Sequence, residues 1–177
     1  MTEATIISQC KAYNKVAFKE LVRIYSPTLM SVCTRYMGDK HNAEDMVQES
    51  FIRIFQNILT YQETGSFKSW LCRIAATTCL KEIRKKHLIV DVDMSDYEEL
   101  GTADYLMMGD EAGIMKIIEE IPLPYRLVFN MHVIEGYSHL EIAELLGVGE
   151  STSRSQLSRA RKMIQALLIK YKVQLTA

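Results

Sequence analysis

The apolar positions fall at helical intervals from the first third of the chain onward. Phe18, Leu21, Val22 and Tyr25 stand at i, i+3, i+4 and i+7, which predicts a helix with one buried face. Ser26-Pro27 then predicts a cap and a fresh helix start, with Leu29, Met30, Cys33, Tyr36 and Met37 inward and Gly38-Asp39 as the stop. In 42-NAEDMVQESFIRIFQNI-58, Asn42 reads as the N-cap and Glu44-Asp45 as first-turn carboxylates at the positive end of the helix dipole. Ala43, Val47, Ser50, Phe51, Ile54 and Ile58 make the inner face. Asp45, Gln48, Glu49, Ile52 and Gln56 are left outside as a polar ridge with one apolar member. A turn, 61-YQETGS-66, introduces a fourth helix over 67–86, with Phe67, Trp70, Leu71, Ile74 and Ala75 inward and Lys68, Arg73, Thr77, Lys81 and Arg84 in a stripe extended by Lys85 and Lys86.

The pattern resumes after Ile121-Pro122-Leu123-Pro124. A helix carries Tyr125, Val128, Met131, His132 and Ile134 and stops at Glu135-Gly136. Ser138 with Glu141 three residues on predicts a capping box for a short helix over 139–146, which Gly147 ends. A last helix, starting near Ser151, turns Leu157, Ala160, Ile164, Leu167, Leu168 and Tyr171 to the core and leaves Arg154, Ser155, Ser158, Arg159 and Lys162 outside. The fold class that follows is all-α.

Composition narrows the class further. Eight glycines and three prolines in 177 residues suit a mostly helical chain, and 48% hydrophobic with 24% charged residues is the balance of a soluble globular protein. The N-terminal stretch has neither a basic region leading into an apolar core nor an 18-residue apolar run, so the expectation is a cytoplasmic chain without stable membrane insertion. Cys10, Cys33, Cys72 and Cys79 form no C-x-x-C, and His41, His87, His132 and His139 are scattered. The cysteines therefore read as small buried hydrophobes, and no metal, cofactor, catalytic residue or small-molecule substrate is expected.

Charge changes the picture most. The net charge of −1 conceals segregation: residues 1–90 hold 13 Lys and Arg against 8 Asp and Glu, residues 91–124 hold 1 against 10, and residues 151–177 hold 6 against none. Two basic units separated by an acidic connector suggest two contacts with a polyanion. The connector mixes Gly101, Gly109 and Gly113 with carboxylates and reads as a tether. Its Tyr97, Leu100, Tyr105, Leu106, Met107 and Met108 leave open a second reading, in which it covers a basic surface or meets a partner. The expected domains are 10–88, a linker over 89–112, and 113–174.

Each basic unit has a bland reading as a solvated face and a sharper one. In the first, a cationic stripe beside aromatic residues suits the backbone and bases of a single strand. In the second, a short helix, a Gly-containing turn and a longer helix with basic and small polar residues near its start make a helix-turn-helix, whose second helix enters the major groove. Phosphates attract the cations and would repel carboxylates there. Repressors and other regulators share that motif, so it does not by itself name a function.

The segments AEDMVQESFIRIF, FKSWLCRIA and LPYRLVFNMHVIEGYSHLEIAELLGV followed by STSRSQLSRAR, in that order around an acidic linker, resemble the extracytoplasmic-function sigma factors of bacterial RNA polymerase, over about residues 10–172. The resemblance implies two helical domains, region 2 and region 4, and an alternative sigma factor that binds core RNA polymerase and directs it to promoter DNA, with an anti-sigma factor as a further partner. It implies that Asp45, Gln48, Glu49 and Ile52 dock on the clamp helices of the polymerase. It implies that the 61–68 loop holds a flipped base of the −10 element, that Trp70 supports it, and that Lys68, Arg73, Thr77, Arg84 and Lys85 contact that DNA. Thr152, Arg154, Ser155, Ser158, Arg159, Arg161 and Lys162 would meet the −35 element.

The chain departs from the family pattern in places. Ala76, Thr77 and Lys81 stand where many members have Arg-Asn and a later Asp, which puts an Asn-type base contact at 77 in doubt. Ser151 replaces a common Gly, and Ser153 occupies a position where an apolar residue often packs, so a looser start to the last helix is expected. Two other classes compete: an autonomous helix-turn-helix regulator, for which no dimerising heptad is visible, and a pure interaction protein, which would not need two basic units.

Overall fold

The computed structural model describes residues 1–86 and 117–175, and every described element is helical. The expected connector over 89–112 and its aromatic and methionine residues lie outside the described residues. The chain divides into two compact units, Met1–Glu82 and Ile83–Ala177.

The first unit is built from α1 (Glu3–Lys11), α2 (Lys15–Met37), α3 (Lys40–Asn57), a 3-10 turn (Ile58–Thr60) and α4 (Phe67–Lys85), whose last three residues lie past the division at Glu82. Helix α1 was not expected. Thr2 caps it by accepting from the Thr5 N–H, and Ile6, Ile7 and Cys10 bury its inner stripe. The hydroxyl of Tyr25 donates to Glu3, tying α1 to α2. Burial holds the Cys10 thiol up at about 11, so it packs as a neutral hydrophobe.

The break at Ser26-Pro27 does not occur. Helix α2 runs unbroken from Lys15 to Met37 with Pro27 inside it. Proline removes one N–H from the ladder, but Leu21, Tyr25, Leu29, Val32, Cys33 and Tyr36 hold one buried phase across it. Their burial outweighs the lost bond. Ser26 Oγ donates to the Val22 carbonyl at 2.6 Å, engaging the helix backbone just before the proline. Met30 and Met37 are only half-buried, and Val32 takes the inward place instead.

Gly38 ends α2 in the left-handed conformation, φ 77°. Helix α3 then starts earlier than expected. Asp39, not Asn42, is its N-cap, and Asp39 Oδ1 accepts from the Asn42 N–H at 2.8 Å. Glu44 and Asp45 therefore lie beyond the first turn. The single Gly38-Asp39 pair stops one helix and starts the next, so Asn42 is drawn into the helix and its side chain reinforces the cap by donating to Asp39 at 2.7 Å.

The second unit contains Ile117–Glu120 in helical conformation, α5 (Leu123–Phe129) running into a π-helical segment (Asn130–Ile134), α6 (His139–Leu146) and α7 (Glu150–Leu175). Ile117, Ile121, Tyr125, Ala160, Leu167 and Tyr171 form one core cluster, flanked by Phe129, Met163, Ile164 and Leu168. The π segment turns less per residue than an α-helix, so the apolar phase slips, and Ile134, read as part of the apolar face, is exposed. The capping box at Ser138 and Glu141 is complete, and Gly147 closes α6 with φ 72°. Helix α7 begins at Glu150, one residue before the expected start.

Candidate polymerase and nucleic-acid interfaces

On α3 the ridge faces solvent as its spacing requires. Asp45, Gln48 and Gln56 are exposed or half-exposed, and Ile52 is 50% exposed although buried Phe51 precedes it on the same helix. An apolar side chain amid polar ones, on a helix whose other face buries Ala43, Ser50, Phe51 and Ile54 and half-buries Val47, suits a protein contact more than a solvated surface. Glu49 accepts from Arg53 Nε at 2.9 Å. It is therefore part of a pair rather than a lone acidic knob.

The loop before α4 is braced by aromatic rings. Tyr61 and Phe67 are buried and Trp70 half-buried. Their centroids lie 4.9 Å (Tyr61–Phe67), 5.3 Å (Tyr61–Trp70) and 5.8 Å (Phe67–Trp70) apart, and Tyr25 meets Phe67 edge-on at 5.7 Å. The Tyr61 hydroxyl donates to the Gly65 carbonyl at 2.8 Å, and Lys11 Nζ sits 5.6 Å from the Tyr61 ring centroid. This cluster anchors both ends of a short loop whose residues 62–66 are exposed. Lys68, Arg73, Arg84 and Lys85 all lie exposed along α4 beyond it. Thr77 differs: it is half-buried, and its hydroxyl donates back to the Arg73 and Ile74 carbonyls at 2.9 and 3.0 Å. Its hydrogen-bonding capacity is turned onto its own helix.

On α7, Arg154, Ser155, Ser158, Arg159, Arg161 and Lys162 are exposed and Thr152 is half-buried. Leu157 and Ala160 face inward at the same helical interval that turns the cations out. Because the helix begins at Glu150, it is not free of acids. Glu150 stands in the first turn, where the dipole favours it, and pairs with Arg154 four residues on. Ser155 Oγ donates to the Thr152 carbonyl at 2.9 Å.

Gln156 and the pairing of Ser153 with His139 have no signal in the linear pattern. Ser153 is fully buried and Gln156 is 8% exposed, both on the inner face of α7. Ser153 Oγ lies 2.9 Å from His139 Nδ1, so the position is filled by a hydrogen bond where the resemblance suggested loose packing. Nothing in the spacing joins two residues 14 apart. Among the described residues no group of His, Cys, Asp and Glu could hold a metal, and no helix is long and apolar enough to cross a membrane.

The two units correspond to two known families of domain. Sigma-70 region 2 matches residues 21–88, and Sigma-70 region 4 matches residues 112–164. The ECF RNA polymerase sigma factor SigW of Bacillus subtilis is 30% identical over 176 residues, covering 92% of this chain and 94% of that protein. The ECF RNA polymerase sigma factor SigE of Mycolicibacterium smegmatis is 31% identical over 88% of this chain, a match that spans 63% of its own length. Among solved structures, the sigma factor RpoE of Bartonella quintana, crystallised with the anti-sigma factor NepR, superposes with a TM-score of 0.52 at 20% identity, over 85% of this chain and 96% of that one. A two-unit helical protein with these regions in this order is a transcription initiation factor of the sigma-70 class. The chain belongs to the extracytoplasmic-function sigma factors, proteins that direct promoter-specific transcription initiation and are regulatory rather than enzymatic.

Proposed function

We propose that this sigma factor binds core RNA polymerase through the α3 ridge of Asp45, Gln48, Glu49 and Ile52, and promoter DNA through α4 and α7. The observation that carries this reading is the sorting of exposed faces. An acid-and-apolar ridge lies on α3, while cations crowd the outer faces of α4 and the first turns of α7. The ridge suits a protein partner and the two cationic faces suit nucleic acid.

Within the first unit (10–88), the 61–68 loop receives a flipped base of the −10 element, the Tyr61–Phe67–Trp70 cluster stiffens that loop, and Lys68, Arg73, Arg84 and Lys85 track the strand's phosphates. Thr77 contributes shape more than base-specific hydrogen bonding, because its hydroxyl is committed to backbone carbonyls. Within the second unit (113–174), Thr152, Arg154, Ser155, Ser158, Arg159, Arg161 and Lys162 meet the −35 element in the major groove. The 89–112 segment joins the two. Nucleotidyl transfer stays with the polymerase, the protein works in the cytoplasm, and an anti-sigma factor is its expected antagonist.

The test is gel filtration of the full chain with purified core polymerase, followed by footprinting of the complex on promoters found by transcript 5′-end mapping. Co-elution and protection of two separate elements upstream of each start site are expected. Tight binding of a palindromic site by the chain alone would instead make it an autonomous regulator.

A further inference from the structure

We propose that His132, His139 and Ser153 form a proton-sensitive brace that holds the start of α7, so that acidification loosens the helix assigned to promoter reading. The brace is continuous. His132 Nδ1 donates to the Tyr137 carbonyl at 2.9 Å, because a carbonyl can only accept, so this ring nitrogen carries a proton. The His132 and His139 rings stack with centroids 4.4 Å apart and planes 14° from parallel. His139 Nδ1 meets Ser153 Oγ at 2.9 Å. Three elements, the π segment, α6 and α7, are thereby joined through side chains at the point where α7 begins.

The geometry favours a neutral His139 ring. A second imidazolium stacked at this distance would face the first directly. The charged groups bearing on His139 are His132 on the π segment and Glu150, Arg154 and Arg161 on α7. On its own helix, Glu141 is occupied by the capping box at Ser138. Burial first, then His132 and Arg154, pull His139 below the ordinary histidine range, with Glu150 partly opposing. The sign follows. A histidine whose folded-state pKa is depressed contributes stability that is complete above its unfolded pKa of about 6.5 and is lost as pH falls from there through the lower folded-state pKa.

The inference rests on α7 being the promoter-reading helix, but its test needs no DNA and so fails or succeeds separately. Amide hydrogen exchange of the full chain, corrected for intrinsic rates, is followed from pH 7.5 to 5.5. Protection of residues 153–157 should be lost progressively as the pH falls across that range, while α3 amides stay constant. His139→Asn keeps a group that can reach Ser153 but does not titrate, and should flatten the profile. His132→Phe keeps the stack and removes the second titratable ring, and should raise the midpoint of the His139 ring signal. A flat wild-type profile, or a His139→Asn profile that follows wild type, would overturn the proposal. Cooperative thermal unfolding of both variants at pH 7.5 confirms that they fold.

Discussion

At the scale of single residues, the candidate DNA contacts on α7 differ in what they must give up. Arg159 is exposed, and its loss should remove a groove contact outright. Arg159→Ala is expected to weaken specific promoter binding by the holoenzyme by about 1–3 kcal/mol with little change on scrambled duplex. Arg154 must first leave Glu150. An exposed pair of this kind is worth about 0–1 kcal/mol, so Glu150→Gln should strengthen duplex binding by up to about fivefold. Fluorescence anisotropy at fixed salt measures both, and unchanged affinity in the two variants would remove this end of α7 from the interface. The exposed cations were legible in the sequence because helical spacing alone sorts them from Leu157 and Ala160. Glu150 was not, because a helix start one residue earlier changes which charges it contains. The Ser153–His139 bond was not legible either, since it depends on how two helices pack.

Elements were legible wherever a cap or stop signal was unambiguous. The Ser138–Glu141 box and Gly147 delimit α6 as their chemistry requires. Where one dipeptide can play two roles, the pattern misled. Pro27 looked like a helix start and proved to be interior, because the apolar stripe of α2 passes through it without a change of phase. Pro27→Ala restores an N–H to the α2 ladder and should stabilise the full chain, by on the order of 1 kcal/mol in urea unfolding once the loosened unfolded chain is counted against the gain. A lower midpoint would mean that the proline fits α2 at no cost. On α4, the cationic stripe is assigned to the melted strand rather than the duplex. Replacing Lys68, Arg73 and Arg84 together by Ala should leave closed complexes largely intact and reduce permanganate reactivity near the start site, since base stacking loses its positive track. Normal reactivity in that variant would remove the stripe from the melting step.

For the whole molecule, the alternation of basic, acidic and basic blocks along the chain already implies a two-unit organisation. The chain divides into two compact units, and exposed cations lie on α2, α3 and α4 before the acidic block and along α7 after it. What charge alone could not supply was the use of the α3 ridge. Its meaning depends on Ile52 standing exposed above a packed inner face, and on Glu49 being held by Arg53. The central claim is that this ridge docks the protein on polymerase, and that docking raises the effective concentration of each basic face for its own promoter element. Asp45 and Ile52 are the residues to change, because neither packs inside the unit, whereas altering Glu49 would also cost the Arg53 pair. The most direct measurement is run-off transcription with purified core polymerase, comparing wild type with Asp45→Lys/Ile52→Asp at matched concentrations and with unfolding curves alongside. Wild type should give promoter-specific transcripts and the double variant at least a tenfold loss, equivalent to about 1.4 kcal/mol of docking energy, with unfolding unchanged. Full activity of the double variant would contradict the docking claim.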